Sequence, residues 1–271
     1  MATKHSASST LKLLLLVATM FSRSVRGLHC INNNKHHILS RRSWSPQPNL
    51  TRCHLSTDAI SGPDTQYMEI ATRLWVERVV MGQGLCPWAA GTLVGSKLRI
   101  CTVYGGASGD PESLLEVCEK IIEESKSLYE KAENNVEESS TTLIVLPEFK
   151  DFEAFLDLVD IIEGVFEKED IDEFLQVAHF HPDYTFADSD TPENEIENYT
   201  NRSPFPIIHL LKVDEVSDAI DSYNNGDTST IWKKNKVTLR TMGIEKMKAI
   251  GVKILEDAAL EVAKRESGIK F

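Results

Sequence analysis

Apolar residues recur along this chain at two spacings, and their alternation outlines a fold. Met68, Ala71, Leu74, Trp75 and Val79 fall three and four residues apart, which predicts a helix over about 65–81. Gly82 and Gly84 end it, and Leu85-Cys86-Pro87-Trp88 follows as a tight turn with an apolar rim. Lys97 to Tyr104 alternates and is β-branched enough for a strand. Beyond a Gly105–Gly109 loop, Asp110 is placed to cap a helix that has Pro111 at its first position. Leu114, Cys118, Ile121 and Leu128 mark the buried face of that helix, widened by Leu115, Ile122 and Tyr129. After a polar break, Glu133 to Ser140, the run Thr141 to Leu146 reads as a buried strand stopped by Pro147. Phe152, Phe155, Leu156, Val159, Ile162 and Phe166 predict another buried helix face. Phe174 to His181 is a third strand, running into Pro182, and Ile207 to Val213 a fourth. Helices are expected over Val216 to Tyr223, Ile231 to Leu239 and about 244–265.

Helix–strand alternation followed by a neighbouring strand pair implies an α/β domain with an α+β tendency. It is a single layered domain, with a four-stranded mixed sheet and flanking helices. About 200 residues suffice for its core without metal or disulfide support.

Composition narrows the class of partner. The 271 residues are 41% hydrophobic and 26% charged, an ordinary globular balance. A net charge of −12 argues against a dedicated nucleic-acid binder, which needs basic surface to meet phosphates. Five scattered cysteines do not make a disulfide framework. The charge is uneven, however. Residues 1–57 hold eight Lys/Arg, fourteen Ser/Thr and no Asp or Glu, which leaves 21 basic against 41 acidic residues downstream.

An acid-free, Arg- and Ser-rich stretch has the composition of an organelle import leader. Within it, Leu13 to Met20 lies behind Lys4 and Lys12 like the apolar core of a secretory signal. It falls short of the roughly 20 apolar residues needed to span a bilayer, and so does every later segment. A signal followed by a basic transit stretch resembles the bipartite leaders of complex algal plastids, so the expected destination is a plastid. The alternatives are the mitochondrion and the secretory pathway. The domain organisation expected is a leader over 1–57, a linker over 58–66, the α/β domain over 67–243 and a C-terminal helix over 244–271.

Three stretches carry candidate chemistry. In His179-Phe180-His181-Pro182-Asp183-Tyr184, residues two apart share a strand face, so His179 and His181 with Asp183 form a partial ligand set. His209 on the next strand supplies a third imidazole; the alternative is buried histidines bonded to main chain. Cys86, in its glycine-flanked turn, becomes a nucleophile if an imidazole approaches it, and is otherwise a packing residue. Cys101 and Cys118 read as apolar fillers. The loop Asn198 to Pro206 is dense in donors, with Arg202 offering a planar fork to a carboxylate or phosphate. Alternatively its polar side chains cap turns and Arg202 pairs with Asp183 or Glu197. The Gly105–Gly109 loop lacks any phosphate-cradling pattern and reads as a turn.

Taken together, Trp75-Val76-Glu77-Arg78-Val79-Val80, Leu85-Cys86-Pro87-Trp88-Ala89, Gln176-Val177-Ala178 with Phe180-His181-Pro182-Asp183-Tyr184, and Asn198-Tyr199-Thr200-Asn201-Arg202-Ser203-Pro204-Phe205-Pro206 with His209-Leu210-Leu211 resemble the domain of unknown function 1415 family. The resemblance runs from about residue 70 to 243. It implies a relative of small soluble bacterial proteins with an added leader, and it implies no reaction. Cys86, His181, Asp183, Asn198, Asn201, Arg202 and His209 fall on matching motif positions. The family's pattern has a small residue such as Ser at the position of His179, and Asn at the position of Gly84.

The leading expectation is an enzyme acting on a small anionic substrate. Cys86, His181, Asp183 and His209 would be catalytic, with His181 as base oriented by Asp183. Tyr184, Asn198, Asn201 and Arg202 would bind substrate. One alternative is a mononuclear metal enzyme on His181, Asp183 and His209. The other is a non-catalytic binding or assembly module. No cofactor is indicated, and the acidic surface tells against nucleic-acid and membrane partners.

Overall fold

The structure, a computed structural model, describes residues 65–93, 97–107, 109–133, 140–187, 192–223 and 227–267. The expected leader, residues 1–57, and the linker as far as residue 64 lie outside them. Thr65 and Gln66 open the first helix, as its predicted span of about 65–81 has them.

Helix α1 (Thr65–Trp75) runs on into a π-helical segment, Val76–Met81, and a four-residue helix α2 (Ala89–Thr92) follows the Cys86 turn. Then come β1 (Leu98–Thr102), α3 (Pro111–Glu133), β2 (Thr141–Val145), α4 (Phe152–Lys168) and β3 (Leu175–Phe180). The short helix α5 (Pro192–Glu195) passes into a 3-10 turn, Ile196–Thr200. The chain closes with β4 (Ile207–Lys212), α6 (Val213–Ser222), α7 (Ser229–Met242) and α8 (Ile244–Glu266).

The four strands form one mixed sheet in the order β1-β2-β4-β3. β1 and β2 are parallel and joined through α3, whereas β4 lies antiparallel to both β2 and β3. Every residue of β2 is buried, because strands flank it and helices cover both its faces. Leu143, Val145 and Ile207 point to one side, against Trp75 of α1, Leu239 of α7 and Ile254 of α8. Ile144, Ile208 and Leu210 point to the other, against Ile121 and Leu128 of α3 and Phe155 and Ile162 of α4. Met247, Ile254 and Ala258 lie in the same core cluster as Trp75, so the C-terminal helix completes a layer of the domain. Arg78 Nη1 adds a contact of 2.7 Å to Asp257 on that helix. No helix among the described residues is long and apolar enough to cross a membrane.

The turn after β1 has a packing reason for its glycine. Gly106 adopts φ +82°, and a Cβ there would sit 2.8 Å from Phe149 Cζ and 3.1 Å from Val117 Cγ2. Its N–H donates to Ser113 Oγ, while Asp110 Oδ2 accepts from Ser113 N–H at the start of α3. Gly106→Ala therefore combines a disfavoured φ with overpacking and should cost about 2–4 kcal/mol. Gly91→Ala, where no atom lies within 4 Å of the new methyl, should change stability by less than about 1 kcal/mol. Urea unfolding of the two variants beside the parent checks both, and equal costs would refute the packing account.

Candidate functional site

The register of β3 against β4 sorts the histidines. His179 lies opposite Ile208 and Ala178 opposite His209, and directly opposed residues share a face. His209 therefore shares its side with Phe180, whose ring it meets at 6.2 Å. His179 and His181 face the other way, toward Phe155 of α4 at 6.2 and 5.3 Å. The sheet separates His209 from His181, so the ligand set of His181, Asp183 and His209 is not assembled. Among the described residues no group of three or more His, Cys, Asp or Glu is arranged to hold a metal ion.

His181 is completely buried, and both of its ring nitrogens are engaged by main chain. Asp183 N–H donates to Nδ1 at 3.0 Å, which leaves the proton on Nε2 to be donated to the Phe149 carbonyl at 3.0 Å. Burial holds the imidazole below its ordinary pKa, and the Phe149 carbonyl and nearby Asp183 only partly oppose this. The expected orienting carboxylate of Asp183 is not what fixes the ring. Its backbone does so, and the Asp183 side chain stands in solvent. Tyr184 packs on Phe152 and His179 at 5.3 and 5.7 Å, and burial raises its phenol pKa.

The donor-rich loop is turned inward. Asn198 is buried, and its Oδ1 accepts from Phe186 N–H at 3.0 Å. Its carbonyl accepts from the N–H groups of both Asn201 and Arg202. Thr200 Oγ1 donates to the Glu197 carbonyl at 2.8 Å, and the Asn201 carbonyl receives His181 N–H. Arg202 donates from Nε to the Tyr184 carbonyl at 3.1 Å and lies over the Tyr199 ring at 4.9 Å. Its Nη1 stands 3.8 Å from Glu195 Oε1, and its own carbonyl accepts from Trp75 Nε1. These residues fasten the segment after β3 to α1 and to the 3-10 turn. The carboxylate partner of Arg202 is Glu195, where Asp183 or Glu197 was expected; Glu197 instead binds Lys236 and Arg240 of α7.

His209 is held by Thr141. That hydroxyl donates to the Leu210 carbonyl, so His209 Nε2–H donates to the Thr141 oxygen. Burial pushes the His209 imidazole down to about 4.

Cys86 lies in a separate place. Its turn packs through Leu85 on the sheet face occupied by α1, α7 and α8, opposite to the side that His181 faces. The thiol is partly exposed, whereas burial drives Cys101 and Cys118 up to about 12. Two α7 side chains meet this turn. Asn235 Nδ2 donates to the Leu85 carbonyl at 2.8 Å, and its Oδ1 is buried with no partner among the described residues. Lys234 Nζ comes within 3.4 Å of where a Cβ on Gly84 would lie, at a residue with φ +63°. Neither residue stood out in the sequence. The available signal was an asparagine between Ile231 and Leu239 at four-residue spacing, on the buried stripe of a predicted helix.

The three histidines make stability pH-dependent. All are shifted below the ordinary value of 6.5, His209 to about 4. Above 6.5 both folded and unfolded forms are neutral. As pH falls through 6.5 toward 4, the unfolded chain takes up protons first and stability is lost. The urea midpoint should fall between about pH 7 and pH 5, and His209→Gln should flatten that fall. An unchanged slope in the variant would refute the assignment to His209.

No curated protein and no solved structure matches the chain. A family match does extend over most of the described domain, reaching a few residues beyond the range of the resemblance, about 70 to 243, at each end and into α8. The family is described as "Protein of unknown function (DUF1415)", it takes in residues 67–249, and this protein belongs to it.

Proposed function

We propose that the protein is a binding module for a small anionic ligand, with the motif loops as its scaffold. The observation that carries this reading is the engagement of both His181 ring nitrogens by main chain. A base must be free to take a proton within hydrogen-bond reach of its nucleophile. His181 has no free nitrogen, and the Cys86 turn packs through Leu85 on the other side of the sheet. Arg202 likewise spends its planar fork on Tyr184, Tyr199 and Glu195. The Cys86 turn stands apart from this network, and its thiol is partly exposed. There Lys234 supplies positive charge in a chain with 41 acidic residues, and no carboxylate among the described residues pairs with it.

Calorimetric titration of the protein with a panel of small carboxylates and phosphates tests the reading, with each ligand recovered and identified by mass spectrometry. Saturable binding of about one ligand per chain, recovered unchanged, is the expected outcome. Conversion of any ligand, lost in a folded His181→Ala variant, would overturn it. The acid-free leader supports delivery to a plastid, and a fluorescent fusion of residues 1–57 should accumulate there. Accumulation in mitochondria or export from the cell would refute that destination.

A further inference from the structure

We propose that the Gly84–Cys86 turn, together with Lys234 and Asn235 of α7, is the ligand site. Its ligand is a small carboxylate that carries a hydroxyl beside the charge. The inference rests on the binding reading above and names where and what the module binds.

Three observations converge on these few residues. Lys234 and Asn235, adjacent on α7, both reach the turn, one over Gly84 and the other to the Leu85 carbonyl. Adjacent helical residues point about 100° apart, so the two side chains bracket the turn from different directions. Gly84, in the left-handed region, has no Cβ to fill the space below the ammonium. Asn235 is 8% exposed, and its amide is oriented by the Leu85 bond, so the unpartnered atom must be the carbonyl oxygen. A buried acceptor without a donor is costly, and it is relieved by whatever brings an N–H or O–H to it. Trp88, two residues beyond Cys86, packs edge-on against Tyr223 at 5.5 Å and fixes the outgoing chain.

The chemistry of the ligand follows from these groups. An ammonium accepts an anion as a point charge without demanding planar geometry. The orphan oxygen requires a donor next to that anion. A bare carboxylate meets the first demand only, whereas an α-hydroxycarboxylate meets both. Dihydrogen phosphate offers the same pairing of charge and O–H from a different source. Cys86 follows directly on the residue that Asn235 holds, so its partly exposed thiol reports occupancy of the site.

The test measures alkylation of Cys86 by iodoacetamide, read by peptide mapping, while glycolate, acetate or inorganic phosphate is titrated. Glycolate should protect Cys86 at a concentration about tenfold lower than acetate, the difference expected for one hydrogen bond to a buried acceptor. Lys234 is exposed, so Lys234→Gln should fold normally and lose protection by glycolate. Phosphate protecting better than glycolate would replace the carboxylate by a phosphate ligand and overturn the class proposed. Equal protection by acetate and glycolate would overturn the role of Asn235. Calorimetric binding that neither protects Cys86 nor weakens in Lys234→Gln would refute this site and leave the binding reading standing. Absence of binding by any member of the panel would remove both.

Discussion

The antiparallel register of β3 on β4 is the constraint that governs what the motif residues can do. With Ala178 opposite His209, the two histidines nearest each other in sequence, His179 and His181, are committed to the α4 side. His209 is committed to the α1 side, and a slip of one residue would exchange them. Both faces of the strand pair are packed into core, with Ile207 on one side and Ile208 and Leu210 on the other. No local rearrangement of side chains brings His181 and His209 together through a buried sheet.

Once the register is set, the end of the sheet is closed by main-chain hydrogen bonds from polar side chains. His181 ties the segment after β2, at Phe149, to the turn after β3, at Asp183. Asn198, Asn201 and Arg202 carry the connection on to Phe186, His179 and Tyr184, and the Arg202 carbonyl receives Trp75 from α1. Buried polar groups held by such bonds specify one arrangement of loops, and each lost partner leaves a costly orphan. This accounts for polar words of unusual specificity without invoking a reaction.

Helix α7 is the second organising element. Its buried stripe presents Asn235 to the Cys86 turn and Leu239 to the core, while Lys236 and Arg240 hold Glu197 of the 3-10 turn. One helix thus docks both the cysteine turn and the donor-rich segment. The ion pairs are partly exposed and individually modest, so the packing of Leu239 contributes most of the anchorage. Asn235 is the exception on this face, since only half of its amide is satisfied by the protein.

Much of the fold was legible in the chain. Alternation of apolar spacing located all four strands and the long helices to within a few residues, because burial of one helical stripe or both strand faces leaves a local periodic trace. The glycine-rich turn after β1 was legible as well, but the need for a glycine at 106 comes from Phe149, a residue far along the chain. Candidate residues were legible as words and not as an arrangement. Periodicity says that His179 and His181 share a face, but it does not say which face His209 takes, since that depends on pairing between strands nearly thirty residues apart. It is equally silent on whether Arg202 turns outward to a ligand or inward to Tyr184. Lys234 and Asn235 meet a turn about 150 residues away, so only the tertiary structure revealed them. The local chain determined which elements form; long-range register and packing decided which side chains meet.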